Sequence, residues 1–381
     1  MRIVFLGFAS SFTQGMSYQD NYLCKQTLAD GHQVTYLSNP EKFVEGRMVE
    51  TSPEDTVLND GLHLIRLSYV NCGLRMVTKK VRCFRGVYSI LNQEKPNVIF
   101  CHNTQYLPVL DVIRYKKAHP EVKIYADTHT DAKNSGTNWL SLHILHRVYY
   151  RWLTKKTIPY LEKYFYTTYE RKLFSAENYG VPESLMEFYP LGGFIPTEEE
   201  YKSARERRRK ELCVEPDEVL LVHSGKMDAL KRTAELLQAF ATVPEFKAKL
   251  AIIGSIQESQ KETLAKLIEA DSRVSYLGWK TADELLEYLC ACDLYCEPGS
   301  QSATMQNAIC CGCAAMLYPH EAYVKGFDYG NIQWVQTRED MVELFRAIAR
   351  HNVDLDELSQ NSWRCARDLL DYRKLAARLY Q

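Results

Sequence analysis

The chain lacks any apolar run near the ~18 residues that a membrane-spanning helix requires. It also lacks net charge. Lys and Arg number 47 against 48 Asp and Glu, a formal −1, which argues against nucleic acid as a partner. No GxxxxGK[ST] loop occurs and no GxGxxG follows the first expected strand, so P-loop and dinucleotide-oxidoreductase readings are set aside. Twelve cysteines are present without paired CxxC knuckles, which disfavours a zinc site. In "CACDLYC" and "CCGC" they sit in apolar runs and read as small buried residues of a reducing, cytoplasmic protein. "MRIVFLGFASS" lacks the basic start and long apolar centre of an export signal and reads as a first buried strand. Fixed-period repeats and low-complexity segments are absent. The only DxD, Asp354-Leu355-Asp356, precedes the last helix and reads as its N-cap, not as a metal site.

What is present describes a soluble protein of two domains: 381 residues, 46% hydrophobic and 25% charged. The halves differ in charge. Residues 1–190 hold 23 basic and 18 acidic residues, net +5; residues 191–381 hold 24 and 30, net −6. Strand and helix patterns alternate in both halves, which predicts α/β architecture with parallel sheets. "RIVFLGF", "HQVTYLS", "LHLIRLSYV", "NVIFCHN", "VKIYADTH" and "KYFYTT" are expected strands of the first half. Residues 76–95 and Ser141 to Leu161 are expected helices. "YPLGGFIP" at 189–196 breaks the pattern, so the domains are placed at 1–190 and 197–360. A helix at about 361–381 is expected to pack back onto the first. In the second half "EVLLVHSG" is expected to end at Gly225 and lead straight into a helix, and Thr281 is an expected N-cap. The basic run "RERRRK" reads as a solvated helix face.

Doubly wound sheets bind ligands beyond the carboxyl ends of their strands. Those positions hold Gly15, His102, Asn103, Asp127, His129, Ser224, Gly225, Lys226, Glu297, Ser300 and Ser302. After the strand, "SGKMDALK" offers Gly225 for close backbone approach, a helix N-terminus, and two ammonium groups, Lys226 and Lys231. Together these suit a doubly charged phosphate.

At these residues the sequence resembles the GT-B-fold retaining glycosyltransferases of family 4. "SGKMDALKRTAELLQAF" is similar to their donor segment, in which two basic residues five apart bind the diphosphate of a nucleotide sugar. "AIIGS", "VSYLGWKTADELLEYLCACDLYCEPGS" and "NAICCGCAAML" follow in the family's order. "FTQGMSYQDNYLCKQTLADGHQVTYLS", "DTHTDAKNSG" and "YGVPESLMEFYPLGG" sit where the family has them in the acceptor domain. The resemblance implies two Rossmann-like domains facing a central cleft. It implies transfer of a sugar, with retention, from a UDP- or GDP-sugar to a glycan or polyprenyl- or lipid-linked acceptor, in cell-surface polysaccharide or glycoconjugate synthesis. Lys226, Lys231, His129 and Asp127 are its catalytic candidates. Gly15, Ser224, Gly225, Gly278, Trp279, Ser300, Gln301, Ser302, Gln306 and Asn307 are donor candidates; Tyr18, His102 and Asn103 are acceptor candidates. Lysines in place of a divalent ion imply no metal and no cofactor. One departure stands out: the family's E-x7-E pair is replaced by Gly299 and Asn307, with Gln306 or Asn307 left to accept from a ribose. Two alternatives follow, a nucleotide-sugar binding protein with weak catalysis and a GT-B epimerase. The basic stretches 74–85 and 141–172, rich in aromatics, suggest peripheral contact with an anionic membrane.

Overall fold

The computed structural model describes residues 1–381 apart from Ser17, Glu45, Gly46 and Lys133. The chain divides into two compact units, Met1–Pro190 with Tyr372–Gln381, and Leu191–Asp371.

The strands of the first unit are β1 (Arg2–Gly7), β2 (Gln33–Ser38), β3 (Glu41–Val44), β4 (Arg47–Glu50), β5 (Glu54–Val57), β6 (His63–Arg66), β7 (Val98–Cys101), β8 (Lys123–Thr128), β9 (Lys163–Tyr166) and β10 (Met186–Phe188). Eight form one sheet in the order β10-β9-β8-β7-β1-β2-β6-β5, parallel except for β5. After its first residue β1 is buried throughout, as a strand covered on both faces must be. The direction of winding reverses between β1 and β7. The hairpin β3–β4 and the edge strand β5 were not expected; they are short, charged and mostly exposed, so no buried face marks them. The expected helix at 76–95 is two helices, Arg75–Val81 and Val87–Glu94. Arg82 at φ 50° and Gly86 at φ 88° are left-handed and break it.

The second unit has β11 (Val219–Met227), β12 (Ala248–Ile256), β13 (Val274–Gly278), β14 (Leu294–Glu297), β15 (Ala314–Leu317) and β16 (Ile332–Trp334). The order β13-β12-β11-β14-β15-β16, all parallel, is a doubly wound sheet whose switch point lies between β11 and β14. Thr281 caps its helix with a reciprocal bond to Glu284.

The expected end of β11 at Gly225 is wrong. β11 stays in register with β12 from Val219↔Ala248 to Met227↔Ile256, and Lys226 belongs to the strand. A tight turn, Ala229–Lys231, precedes the helix Thr233–Ala241. The cause is a glycine pair, Gly225 at φ 128° opposite Gly254 at φ 135°. A Cβ on Gly254 would lie 1.8 Å from the Gly225 carbonyl oxygen, so only glycine lets the two backbones run on together.

The tail also differs from expectation. Asp354 caps Leu355–Cys365, its carboxylate accepting from the amides of Asp356 and Glu357. The helical path continues to Leu370 and stops at Asp371. Ser362 donates to the Cys313 carbonyl, so residues 361–371 stay with the second unit. Only Tyr372–Gln381 joins the first, where Tyr372 packs on Tyr22 and the Leu375 carbonyl accepts from the Tyr189 hydroxyl.

Gly254→Ala is expected to destabilise the second unit by about 3 kcal/mol or more, because backbone rather than a side-chain tip must give way. Urea denaturation followed by tryptophan fluorescence reads this; an unchanged midpoint contradicts the close approach.

Candidate functional site

Two clusters form at strand carboxyl ends, one in each unit. In the second unit Lys231 is buried and its Nζ donates to Glu297 Oε1 at 3.0 Å. Glu297 ends β14 across the switch point and is fully buried beside Tyr295. The Lys231 stem lies over Gly225, where a Cβ would come 3.1 Å from Cε. Asp228 accepts from the Lys231 amide and fixes the turn. Lys226 is exposed. A cavity of about 280 Å³ is lined by Gly225 and Lys226, by Gly254 and Ser255 of β12, by Trp279 after β13, and by Thr304. Trp279 is 73% exposed. Gly278 precedes it at φ 69°, a backbone that glycine adopts freely.

Gly299 has a physical reason. A Cβ there would lie 2.1 Å from the Leu230 carbonyl, so a glutamate has no room. The loop that follows β14 is pinned from several sides. Ser300 N donates to Leu230 O, Arg232 to Pro298 O, His320 Nε2 lies 2.8 Å from Gly299 O, and Ser302 N donates to Tyr323. Gln301 is exposed. Gln306 is buried and its Oε1 accepts from Gly192 N, which leaves Asn307 as the amide beside the loop. The Ser224 hydroxyl is paired with Tyr295 inside the sheet. His223 bridges the Cys296 carbonyl and the Thr233 hydroxyl. Burial lowers its pKa to about 4, so it is a neutral structural residue.

In the first unit His102 follows β7, and Asp127 and His129 lie at and after the end of β8. Asp127 Oδ2 is 2.9 Å from His102 Nδ1 and 3.1 Å from His129 Nε2. The two rings lie with centroids 4.4 Å apart. Asn103, at φ 62°, donates its amide to Asp127 Oδ1, and its own Oδ1 accepts from His129 N and Thr130 Oγ1. Gly15 and Tyr18 lie on the loop that follows β1 and leads to Asp20. No other set of three His, Cys, Asp or Glu donor atoms converges among the described residues.

Sequence reasoning missed Asp20, Arg232, Ser255 and Thr304, and it named Glu297 only as a strand-end position. Asp20 reads as an ordinary first-turn acid. Its role depends on Tyr36, whose hydroxyl donates to it at 2.6 Å through space left by Gly7.

A second surface is built by the basic stretches. Leu140, Ile144, Val148 and Trp152 recur at four-residue steps along the π-helix Ser141–Tyr150, the α-helix Arg151–Thr157 that continues it, and the residue before them, all exposed. Tyr149 and Tyr150 donate to the Val81 and Lys80 carbonyls, which sets the exposed Leu74, Met76 and Val77 on the neighbouring helix. Arg75, Arg147 and Arg151 belong to the same segments.

Burial raises the Glu297 pKa from its ordinary 4.5 to about 7, against the opposing pull of Lys231. The folded chain therefore holds this proton where the unfolded chain has lost it, and that component of stability falls as pH rises from 4.5 to 7. Glu297→Gln removes the component. Its stability relative to the parent is expected to improve over pH 5 to 7, by at most about 1.4 kcal/mol per pH unit. Urea denaturation at pH 5, 6 and 7 checks this, and a constant difference contradicts it.

Comparison with known proteins agrees with this architecture. Residues 204–351 match the family model "Glycosyl transferases group 1". No match was found among the sequences of curated proteins. Among solved structures the chain is similar to HepE of Anabaena in complex with UDP, with TM-score 0.67 and 13% identity over 99% of this chain and 98% of that one. It is similar to WaaG, a glycosyltransferase involved in lipopolysaccharide biosynthesis, with TM-score 0.62 and 15% identity over 99% of each chain. An E. coli structure described as trehalose-6-phosphate bound with UDP-2-fluoro glucose aligns with TM-score 0.64 and 11% identity over 99% and 98%. The chain has the two-domain GT-B fold, and residues 204–351 of its second unit match the group 1 glycosyl transferase model.

Proposed function

We propose that the protein transfers a sugar, with retention, from a UDP- or GDP-sugar to a glycan or lipid-linked acceptor in cell-surface glycoconjugate synthesis. One observation carries the reading: buried Lys231 lies over Gly225 and reaches Glu297 across the switch point of β11 and β14, while Lys226, the next residue of β11, lines the cavity beside β12, all inside the residues that match the group 1 model. Lys226 and Lys231 stabilise the departing diphosphate, a preorganised charge that takes the place of a divalent ion. Lys231 is held by Glu297 until a phosphate takes over its ammonium group. Trp279, exposed beside the cavity, stacks on the base in this reading, and Asn307 accepts from the ribose. His129, oriented by Asp127, bonds hydroxyls of the transferred sugar. UDP is favoured as the base family by the UDP-bound HepE structure and the UDP-2-fluoro glucose complex.

Titration calorimetry of UDP, GDP, ADP and their common sugars in EDTA tests the donor assignment. Binding of one base family, unchanged by EDTA, is expected, followed by slow release of free sugar from the matching nucleotide sugar. Binding without turnover supports the catalytically weak alternative. Absence of binding, or binding only with a divalent ion, overturns the lysine clamp.

We further propose that the face carrying Leu74, Met76, Ile144, Val148 and Trp152 rests on an anionic membrane at the cytoplasmic surface, where a lipid-linked acceptor lies. Its exposed apolar side chains and neighbouring arginines match the two halves of such a surface, hydrocarbon boundary and anionic headgroup. The parent protein is expected to co-sediment with phosphatidylglycerol vesicles and not with phosphatidylcholine vesicles. Ile144→Asp with Val148→Asp should abolish this while leaving nucleotide binding unchanged. Sedimentation unaffected by the double change contradicts the assignment.

A further inference from the structure

Four ionisable groups are threaded together in the first unit. Asp20 Oδ1 lies 3.0 Å from His102 Nδ1, His102 Nδ1 lies 2.9 Å from Asp127 Oδ2, and Asp127 Oδ2 lies 3.1 Å from His129 Nε2. The first three side chains are exposed by 10%, 7% and 0%, whereas His129 is exposed by 23%. His129 is therefore the end of the chain that reaches solvent.

Simple electrostatics assigns the protons. His102 Nδ1 lies within 3.0 Å of two carboxylate oxygens without a well-aligned hydrogen bond to either, and a bare lone pair beside two carboxylates is repelled, so Nδ1 carries hydrogen. Two buried carboxylates around one neutral ring would leave two uncompensated charges out of water, which costs several kcal/mol each. A second proton on His102 makes it an imidazolium and halves that charge. Asp127 Oδ2 then faces two rings at once. With His102 already charged, a second positive ring stacked 4.4 Å away is repelled. His129 therefore remains neutral, with Nε2–H on Asp127 and Nδ1 open.

We propose that His102 is a positioning residue, a buried imidazolium clamped between Asp20 and Asp127 that keeps His129 a neutral hydrogen-bond acceptor at Nδ1. A neutral acceptor there suits a donating hydroxyl and disfavours a phosphate or carboxylate, so this end of the site selects an uncharged sugar or alcohol group. The chemical class of that ligand rests on the transferase reading, whereas the proton assignment does not.

The surrounding groups are consistent with this. Burial disfavours charge on both rings. At His102 the two aspartates overturn it and raise the pKa well above the ordinary value. At His129 burial and the His102 charge prevail over Asp127, and the pKa is lowered. Burial works to raise the Asp127 pKa, but the two histidines hold it far below the carboxylate range. At Asp20 burial is likewise outweighed by His102 and by the Tyr36 hydroxyl. Arg171 near His129 is engaged with Asp131 and adds to the repulsion of a second positive ring. The thiols of Cys24 and Cys101 and the hydroxyl of Tyr106 are pushed up by burial and stay neutral.

The test is a pH titration of imidazole 15N shifts in the full-length protein, with His102 and His129 assigned through single Gln variants. At pH 7.5 His102 is expected to be protonated on both nitrogens and His129 to show the neutral Nε2–H form. In His102→Gln the repulsion is gone and Asp127 acts on His129 alone, so the His129 midpoint should rise by about one pH unit or more. Should His102→Gln fail to fold, Asp20→Asn replaces it and should lower the His102 midpoint. A neutral His102 in the parent, or a His129 midpoint unmoved by His102→Gln, overturns the proposal. Neither readout uses a donor or acceptor, so failure here is distinct from failure of the transferase reading. Where turnover is measured, the acid limb of kcat/KM should move upward with the His129 midpoint, and a limb that stays in place overturns the proposal.

Discussion

The buried ion pair between Lys231 and Glu297 organises the second unit. It spans the switch point between β11 and β14, where the winding of the sheet reverses. Lys231 needs this acceptor, because a buried ammonium left without a partner costs about 3–5 kcal/mol. The pair requires a lysine stem that passes over a residue with no side chain, Gly225. It requires a turn begun by Asp228 and a loop after Glu297 tight enough to need Gly299. Of these residues Gly225 also lines the cavity beside β11 and β12. The same interaction therefore fixes the backbone around Gly225 and holds an ammonium group at the switch point.

Glu297 also bears on the missing E-x7-E pair. The loop contains no acid at either family position, and at Gly299 sterics forbid one. An acid is nevertheless present two residues before Gly299, at the end of β14, and bonded to the lysine. Gln306, which the family resemblance offers as a ribose acceptor, accepts from the Gly192 amide with its oxygen.

Much of this was legible in the sequence because parallel strands covered on both faces are uninterrupted apolar runs bounded by glycine and polar residues. β1, β7, β8, β12 and β14 announced themselves in that way, and the residues following them assembled the two clusters. What stayed hidden depended on partners distant in sequence. β11 runs past Gly225 only because Gly254 lies opposite it, and a glycine read alone signals a stop. Asp20 resembles any acid in a first helical turn until Tyr36 and His102 are seen around it. The hairpin β3–β4 and the break at Arg82 lie in charged, exposed segments, where no periodicity records which backbone is chosen.

The central claim is that Lys231 serves a diphosphate. The most direct measurement is the affinity of the bound nucleoside diphosphate against its own monophosphate, in the parent and in Lys231→Ala. The account predicts a clear preference for the diphosphate in the parent, about tenfold or more, that collapses in the variant while monophosphate affinity is retained. A preference of equal size in both proteins would contradict it and place the diphosphate elsewhere.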